Sequence, residues 1–208
     1  MMLRRVLAAL FVLALLGASC NGDDDDDATP TTTTSTTAAS TTTAGDTDDT
    51  ALDCEPAGDT ATHKAEATGD LLFVGDVQVG TGPEVGCVEQ VVFTFEEIPA
   101  GSQLGYEIGY ATGPFEDPSG RAASVEGEAF LRIVMLNGTT VDLSGDEPRE
   151  TYVGTPTIPA GVSFIADLVK VSDFEGVSEW VIGLDARRPF TAEYDEAGPS
   201  FLVTISAA

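Results

Sequence analysis

The sequence predicts an all-β domain, an antiparallel β-sandwich of about eight strands over residues 70–208, and three observations carry that expectation. Short apolar runs recur along this region, several with period-two alternation. Turn-forming pairs separate the runs. No segment sustains a 3.6-residue apolar period between helix caps.

LLFVGDVQV (71–79), EQVVFTF (89–95) and LGYEIGY (104–110) read as the first three strands. AFLRIVML (129–136), IADLVKV (165–171), SEWVIGL (178–184), FTAEY (190–194) and SFLVTIS (200–206) follow. Alternation places Leu104, Tyr106, Ile108 and Tyr110 on one face, Val91, Phe93 and Phe95 on another, and Trp180, Ile182 and Leu184 on a third. These faces read as core, Trp180 included. Asn137-Gly138 is a strong turn signal, and Glu175-Gly176 suits a hairpin joining 165–171 to 178–184. Eight such strands in one region fit a single sandwich.

The residues ahead of this domain are of a different kind. Arg4 and Arg5, then eleven apolar residues from Val6 to Leu16, then small residues, form an export-signal pattern. The apolar run is too short to span a bilayer, which takes about 20 residues. Gly17-Ala18-Ser19-Cys20 resembles a lipoprotein cleavage site and also fits ordinary secretion. Cysteine number separates the two. An exported chain with three cysteines leaves one thiol over. If Cys20 carries lipid, Cys54 and Cys87 remain as a pair able to form a disulfide in an oxidising compartment. The preferred organisation is a lipoprotein signal peptide (1–19), a lipidated, disordered acidic and Thr-rich tether (20–50), a lead-in segment (51–69) and the β-domain (70–208). This puts the protein on the extracytoplasmic face of a cell membrane, held by its lipid anchor.

The chain carries 35 acidic residues against 9 basic ones, a net charge of −26. That field excludes nucleic acid as a partner. One histidine, His63, cannot assemble a His-rich zinc site, and there is no CxxC pair, no GxSxG turn and no Gly-rich phosphate loop. No cofactor, no metal site and no catalytic residue is therefore expected. Asp142, Asp146, Glu147 and Glu150 could hold calcium, but a hydrated loop partly balanced by Arg149 is the preferred reading. A carboxylate-based cell-wall hydrolase needs only two acids and stays as the third and least favoured functional class.

Arg187 and Arg188 stand out in so acidic a chain. Neutralisation of nearby carboxylates is the preferred reading of the pair and ligand contact the alternative. One arginine is expected to pair with a carboxylate such as Asp185, which leaves the other free to offer its planar fork to a ligand. Tyr152 and Tyr194 are the candidate aromatic partners of such a site. The preferred function is a non-catalytic, membrane-anchored module binding cell-wall, peptidoglycan-type material. The alternative is a protein-interaction or scaffolding subunit of an envelope complex, marked by an exposed apolar patch.

The order VEQVVFTF, GYEIGYATGP, DPSGRAASVEGEAFLRIVM, DFEGVSEWVIGLDARRPF and GPSFLVTI is similar to the AMIN-like domain of actinobacterial lipoproteins, over about residues 70–208. The densest element is DFEGV, then W-x-x-G-L and RRPF, from Asp173 to Phe190. Cys87 looks like the family's cysteine at that place. Two places depart from the family pattern. Gln90 stands where arginine is usual, and the last strand reads Pro199-Ser200-Phe201-Leu202-Val203-Thr204 where the family often reads like PRLVVD, so both departures remove charge. The resemblance implies a β-sandwich in the cell envelope, related to AMIN domains, which are associated with peptidoglycan binding and with localising envelope machinery.

Overall fold

The computed structural model describes residues 54–195 and 198–207. The leader, Cys20 and the tether lie outside the described residues. In chain order the strands are β1 (His63–Ala65), β2 (Leu72–Thr81), β3 (Val88–Phe95), β4 (Tyr106–Ala111) and β5 (Phe115–Glu116). Then come β6 (Ala122–Ala123), β7 (Ala129–Met135), β8 (Gly138–Thr139), β9 (Val141–Asp142) and β10 (Arg149–Glu150). Finally there are β11 (Thr157–Pro159), β12 (Ile165–Phe174), β13 (Val177–Leu184), β14 (Phe190–Asp195) and β15 (Ser200–Ser206).

Two sheets make the sandwich. One has six strands in the order β1-β4-β7-β13-β12-β11, and the other five in the order β14-β15-β3-β2-β8. Neighbours are antiparallel except β2 and β8, which pair in parallel at Leu72–Gly138 and Phe73–Thr139. All eight expected strands are present, as β2, β3, β4, β7, β12, β13, β14 and β15.

The inner faces meet as the alternation requires. Val91, Phe93 and Phe95 from β3 face Trp180, Ile182 and Leu184 from β13, all six fully buried or nearly so. Phe93 and Trp180 meet edge to face, ring centroids 5.2 Å apart, and Tyr106 reaches Phe201 across the sandwich at 4.7 Å. Alternation does not account for Val181, also wholly buried on the outer face of β13. The ribbon of β5 and β6 folds over that face, where Phe115, Val171 and Val181 form a second small core.

Gly183 lies where this outer layer comes closest. A methyl group there would overlap the Glu126 carbonyl oxygen, so only glycine lets that backbone cross β13. At the far end of the same strand, Glu175 (φ 52°) and Gly176 (φ 82°) make the two-residue turn of the β12–β13 hairpin, as the sequence suggested.

Asn137-Gly138 does not form a hairpin turn. Asn137 is buried, and its side chain bridges three chain segments. Oδ1 accepts from the Gly105 amide at 2.8 Å, while Nδ2 donates to the Asp70 and Gln103 carbonyls at 3.2 and 3.0 Å. The chain is passing here from the six-stranded sheet into β8 of the other sheet. The asparagine satisfies backbone groups that neither sheet pairs.

From the lead-in segment, β1 joins the edge of the six-stranded sheet, His63 opposite Ile108, and Asp59 bridges Phe190 of β14. Cys54 is disulfide-bonded to Cys87, just ahead of β3. Closing a loop across 33 residues of separation contributes about 3–4 kcal/mol by restricting the unfolded chain.

Candidate functional site

Seven lysines and arginines fall among the described residues. Five are in ion pairs with carboxylates: Lys64 with Glu107, Arg121 with Asp117, Arg132 with Glu179, Arg149 with Glu96 and Asp142, and Arg188 with Asp185. Lys170 instead donates to Thr140 Oγ1 at 3.0 Å and lies 5.8 Å from the centre of the Tyr152 ring. The seventh is Arg187. It is exposed, with its guanidinium carbon 4.4 Å from the centre of the Tyr110 ring and one hydrogen bond, from Nη2 to the Thr60 carbonyl at 3.2 Å.

Both arginines sit on the crossover from β13 in one sheet to β14 in the other. Arg188 holds that crossover in place. Its Nε and Nη2 each donate to the Asp185 carboxylate at 2.8 Å, and its guanidinium stacks 4.0 Å from the Phe164 ring centre. The pair holds the Asp185 carboxyl below its ordinary range and raises the Arg188 guanidinium. The Tyr110 hydroxyl accepts from the Arg188 amide and donates to the Arg188 carbonyl, both at 2.7 Å, and burial pushes that phenol upward. Glu89, itself buried, receives the amides of Ser163, Phe164 and Ile165 and so fixes the loop carrying Phe164.

The anchored crossover thus presents Arg187 at the rim of a cavity of about 350 Å³, lined also by Tyr110, Thr112, Glu128, Ala129 and Phe130. The arrangement suits ligand contact. Arg187 offers a planar, charge-bearing donor fork on a rigid aromatic support, next to a small partly apolar hollow. It holds no paired acid and base. Among the described residues His63 hydrogen-bonds only Asp59, at 3.0 Å, and no group of three or more His, Cys, Asp or Glu could hold a metal ion. Asp167 is a carboxylate whose pKa burial raises, but it lies beneath the Glu126 backbone, 5 % exposed.

The structure brings neither expected tyrosine to the arginines. Tyr152 is buried against Trp180, ring centres 5.6 Å apart, with its hydroxyl donating to the Thr155 carbonyl. A ring packed into the core this way cannot stack on a surface ligand. Tyr194 lies on β14, opposite Phe201, with its ring against Phe95 at 6.0 Å. Tyr110 takes the aromatic role. It was legible only as the last residue of the alternating face 104–110; that this strand end abuts the crossover is a tertiary fact. In the acidic loop, Arg149 donates to Glu96 twice at 2.9 Å and to Asp142 at 3.2 Å.

The dense motif from Asp173 to Phe190 is mostly structural. Asp173 accepts from Thr139 Oγ1 and from the amide and hydroxyl of Thr140, tying the hairpin root to β8. Trp180 and Phe190 are core, Gly183 admits a crossing backbone, and Arg188 locks the crossover. Phe174, Glu175 and Arg187 remain exposed.

The fold is a two-sheet β-sandwich with an exposed arginine, Arg187, braced on Tyr110 at the crossover between its sheets. The chain belongs to the AMIN-like domain family, whose model matches residues 72–204, from β2 into β15. No curated protein matches the chain, and no solved structure matches it.

Proposed function

We propose that this protein is a non-catalytic, membrane-anchored module of the cell envelope that binds cell-wall, peptidoglycan-type material, with lipidated Cys20 as the anchor. The observation that carries the reading is Arg187. In a chain of net charge −26, an exposed guanidinium without a carboxylate partner among the described residues, braced on Tyr110 beside a hollow, suits capture of a carboxylate. Wall peptides supply such carboxylates next to sugars. The family assignment supports the same direction, through the related AMIN domains and their association with peptidoglycan.

The test is co-sedimentation of the full chain with purified wall sacculi. The native protein is expected to be retained, Arg187→Glu to cut retention at least fivefold, and Arg187→Lys to retain an intermediate amount. Equal retention of the native and Arg187→Glu proteins removes Arg187 from the site, and absence of retention ends the wall-binding reading. Acylation is checked by the mass of the N-terminal peptide from the membrane fraction.

A further inference from the structure

At the opposite end of β13 from the arginines, about 23 Å away along the strand, the β12–β13 hairpin presents Phe174 to solvent. Phe174 is 60 % exposed, and two other large exposed apolar side chains, Leu71 (43 %) and Leu143 (65 %), line the same groove with Phe73 and Val141. The groove encloses about 560 Å³. A second cleft of about 740 Å³ adjoins it, sharing Val141, Asp173 and Phe174, so Phe174 stands as a partition between two hollows.

This surface is held rigid. Asp173 is bonded to Thr139 and Thr140, the turn at Glu175-Gly176 has both residues at positive φ, and Leu71 closes over Gly176 where a side chain would collide with it. An aromatic carried outside the core on a backbone anchored in this way is preorganised for contact.

Charge selects the occupant. The groove is bordered by Asp142, Asp173 and Glu175 and by no lysine or arginine, while the two cations of the adjoining cleft are already engaged, Arg121 by Asp117 and Lys170 by Thr140. A second copy would bring another strongly acidic surface against it, since residues 70–208 hold 23 carboxylates and six cations. The tether cannot fill it, because residues 21–53 contain one large apolar side chain, Leu52. We propose that this groove docks an extended segment of a partner protein in which aliphatic or aromatic side chains alternate with lysine or arginine. Two apolar side chains of such a segment straddle Phe174, and its cations meet the acidic rim.

The test uses the full chain and fluorescent synthetic peptides read by anisotropy at 150 mM salt. An alternating Lys/Leu peptide is expected to bind at least tenfold tighter than alternating Glu/Leu and Lys/Ser peptides. Phe174→Ser and Leu143→Ser, both at exposed positions, are each expected to weaken it at least fivefold, while Arg187→Glu leaves it unchanged. Equal binding of the Lys/Ser peptide, or unchanged binding by Phe174→Ser, overturns the proposal. So does Phe174-dependent binding to phosphatidylcholine vesicles, or Phe174-dependent self-association in sedimentation; these assign the groove to lipid or to a second copy. Because Phe174→Ser should leave sacculus retention intact, failure here is distinct from failure of the wall-binding reading.

Discussion

Asp167 is a buried carboxylate whose oxygens accept one backbone amide, that of Glu126, at 3.2 and 3.3 Å. Burial is the main cause of its raised pKa, with the Glu126 charge adding to it. A carboxyl that binds its proton more tightly when folded favours the fold most below its unfolded value of about 3.9. That contribution is lost as pH rises through the folded value. At neutral pH the charged form is a net cost of burial. Asp167→Asn keeps an acceptor for the Glu126 amide and removes the charge. It is expected to raise stability at pH 7 by about 1 kcal/mol, with the difference shrinking towards pH 4, as measured by urea unfolding. Asp185 behaves in the opposite sense. Arg188 lowers its pKa, so its contribution is present above the unfolded value and fades as pH falls through the folded one. If Asp167→Asn is equally destabilising at every pH, the hydrogen bond outweighs the charge and the assignment is wrong.

Strand by strand, the eight long elements were legible because each contains an apolar run or a stretch of alternation, as burial on one inner face demands, although bulges break the period in β2 and β12. The seven short strands were not, since two or three residues carry no period. Gly138–Thr139 and Phe115–Glu116 pair because the chain passes there, not because of their composition. Asn137-Gly138 reads as a turn from local chemistry, yet the amide bridges β2, β4 and β7 segments that only the tertiary fold assembles. At the site, the arginine pair was legible from its contrast with an acidic chain, whereas its aromatic partner was not. Cross-strand register explains a further pair of residues. Gln90 and Thr204 are register partners on β3 and β15, and Gln90 Nε2 donates to Thr204 Oγ1 at 3.1 Å. A neutral hydrogen bond thus joins the two strands at this register position. Replacing it with an ion pair, Gln90→Arg with Thr204→Asp, should show a favourable coupling of about 0.5–1 kcal/mol in a double-mutant cycle. Zero coupling would mean that these side chains do not meet across the strands.

For the whole molecule, the dominant electrostatic fact is excess. Residues 70–208 hold 23 carboxylates against six cations, a net −17, and the ion pairs among the described residues neutralise only a minority of the acids. Two effects of added salt therefore compete. Screening weakens the exposed pairs, each worth about 0–1 kcal/mol. It also weakens repulsion among many more carboxylates, and at 0.1 M salt the screening length is already about 10 Å. The pairs are few and local, while the repulsion sums over the whole surface of the compact state and relaxes when the chain unfolds. Repulsion should win. Raising sodium chloride from 10 to 500 mM is expected to stabilise the oxidised, disulfide-bonded protein by about 1 kcal/mol, a rise of about 4 °C in Tm for a domain of this size. Calorimetry at the two salt concentrations checks it. A falling Tm would mean that the arginine pairs, and not the acidic excess, set the electrostatic stability of the sandwich. It would also weaken the case for a cationic partner, because that case relies on an unneutralised negative field around the Phe174 groove.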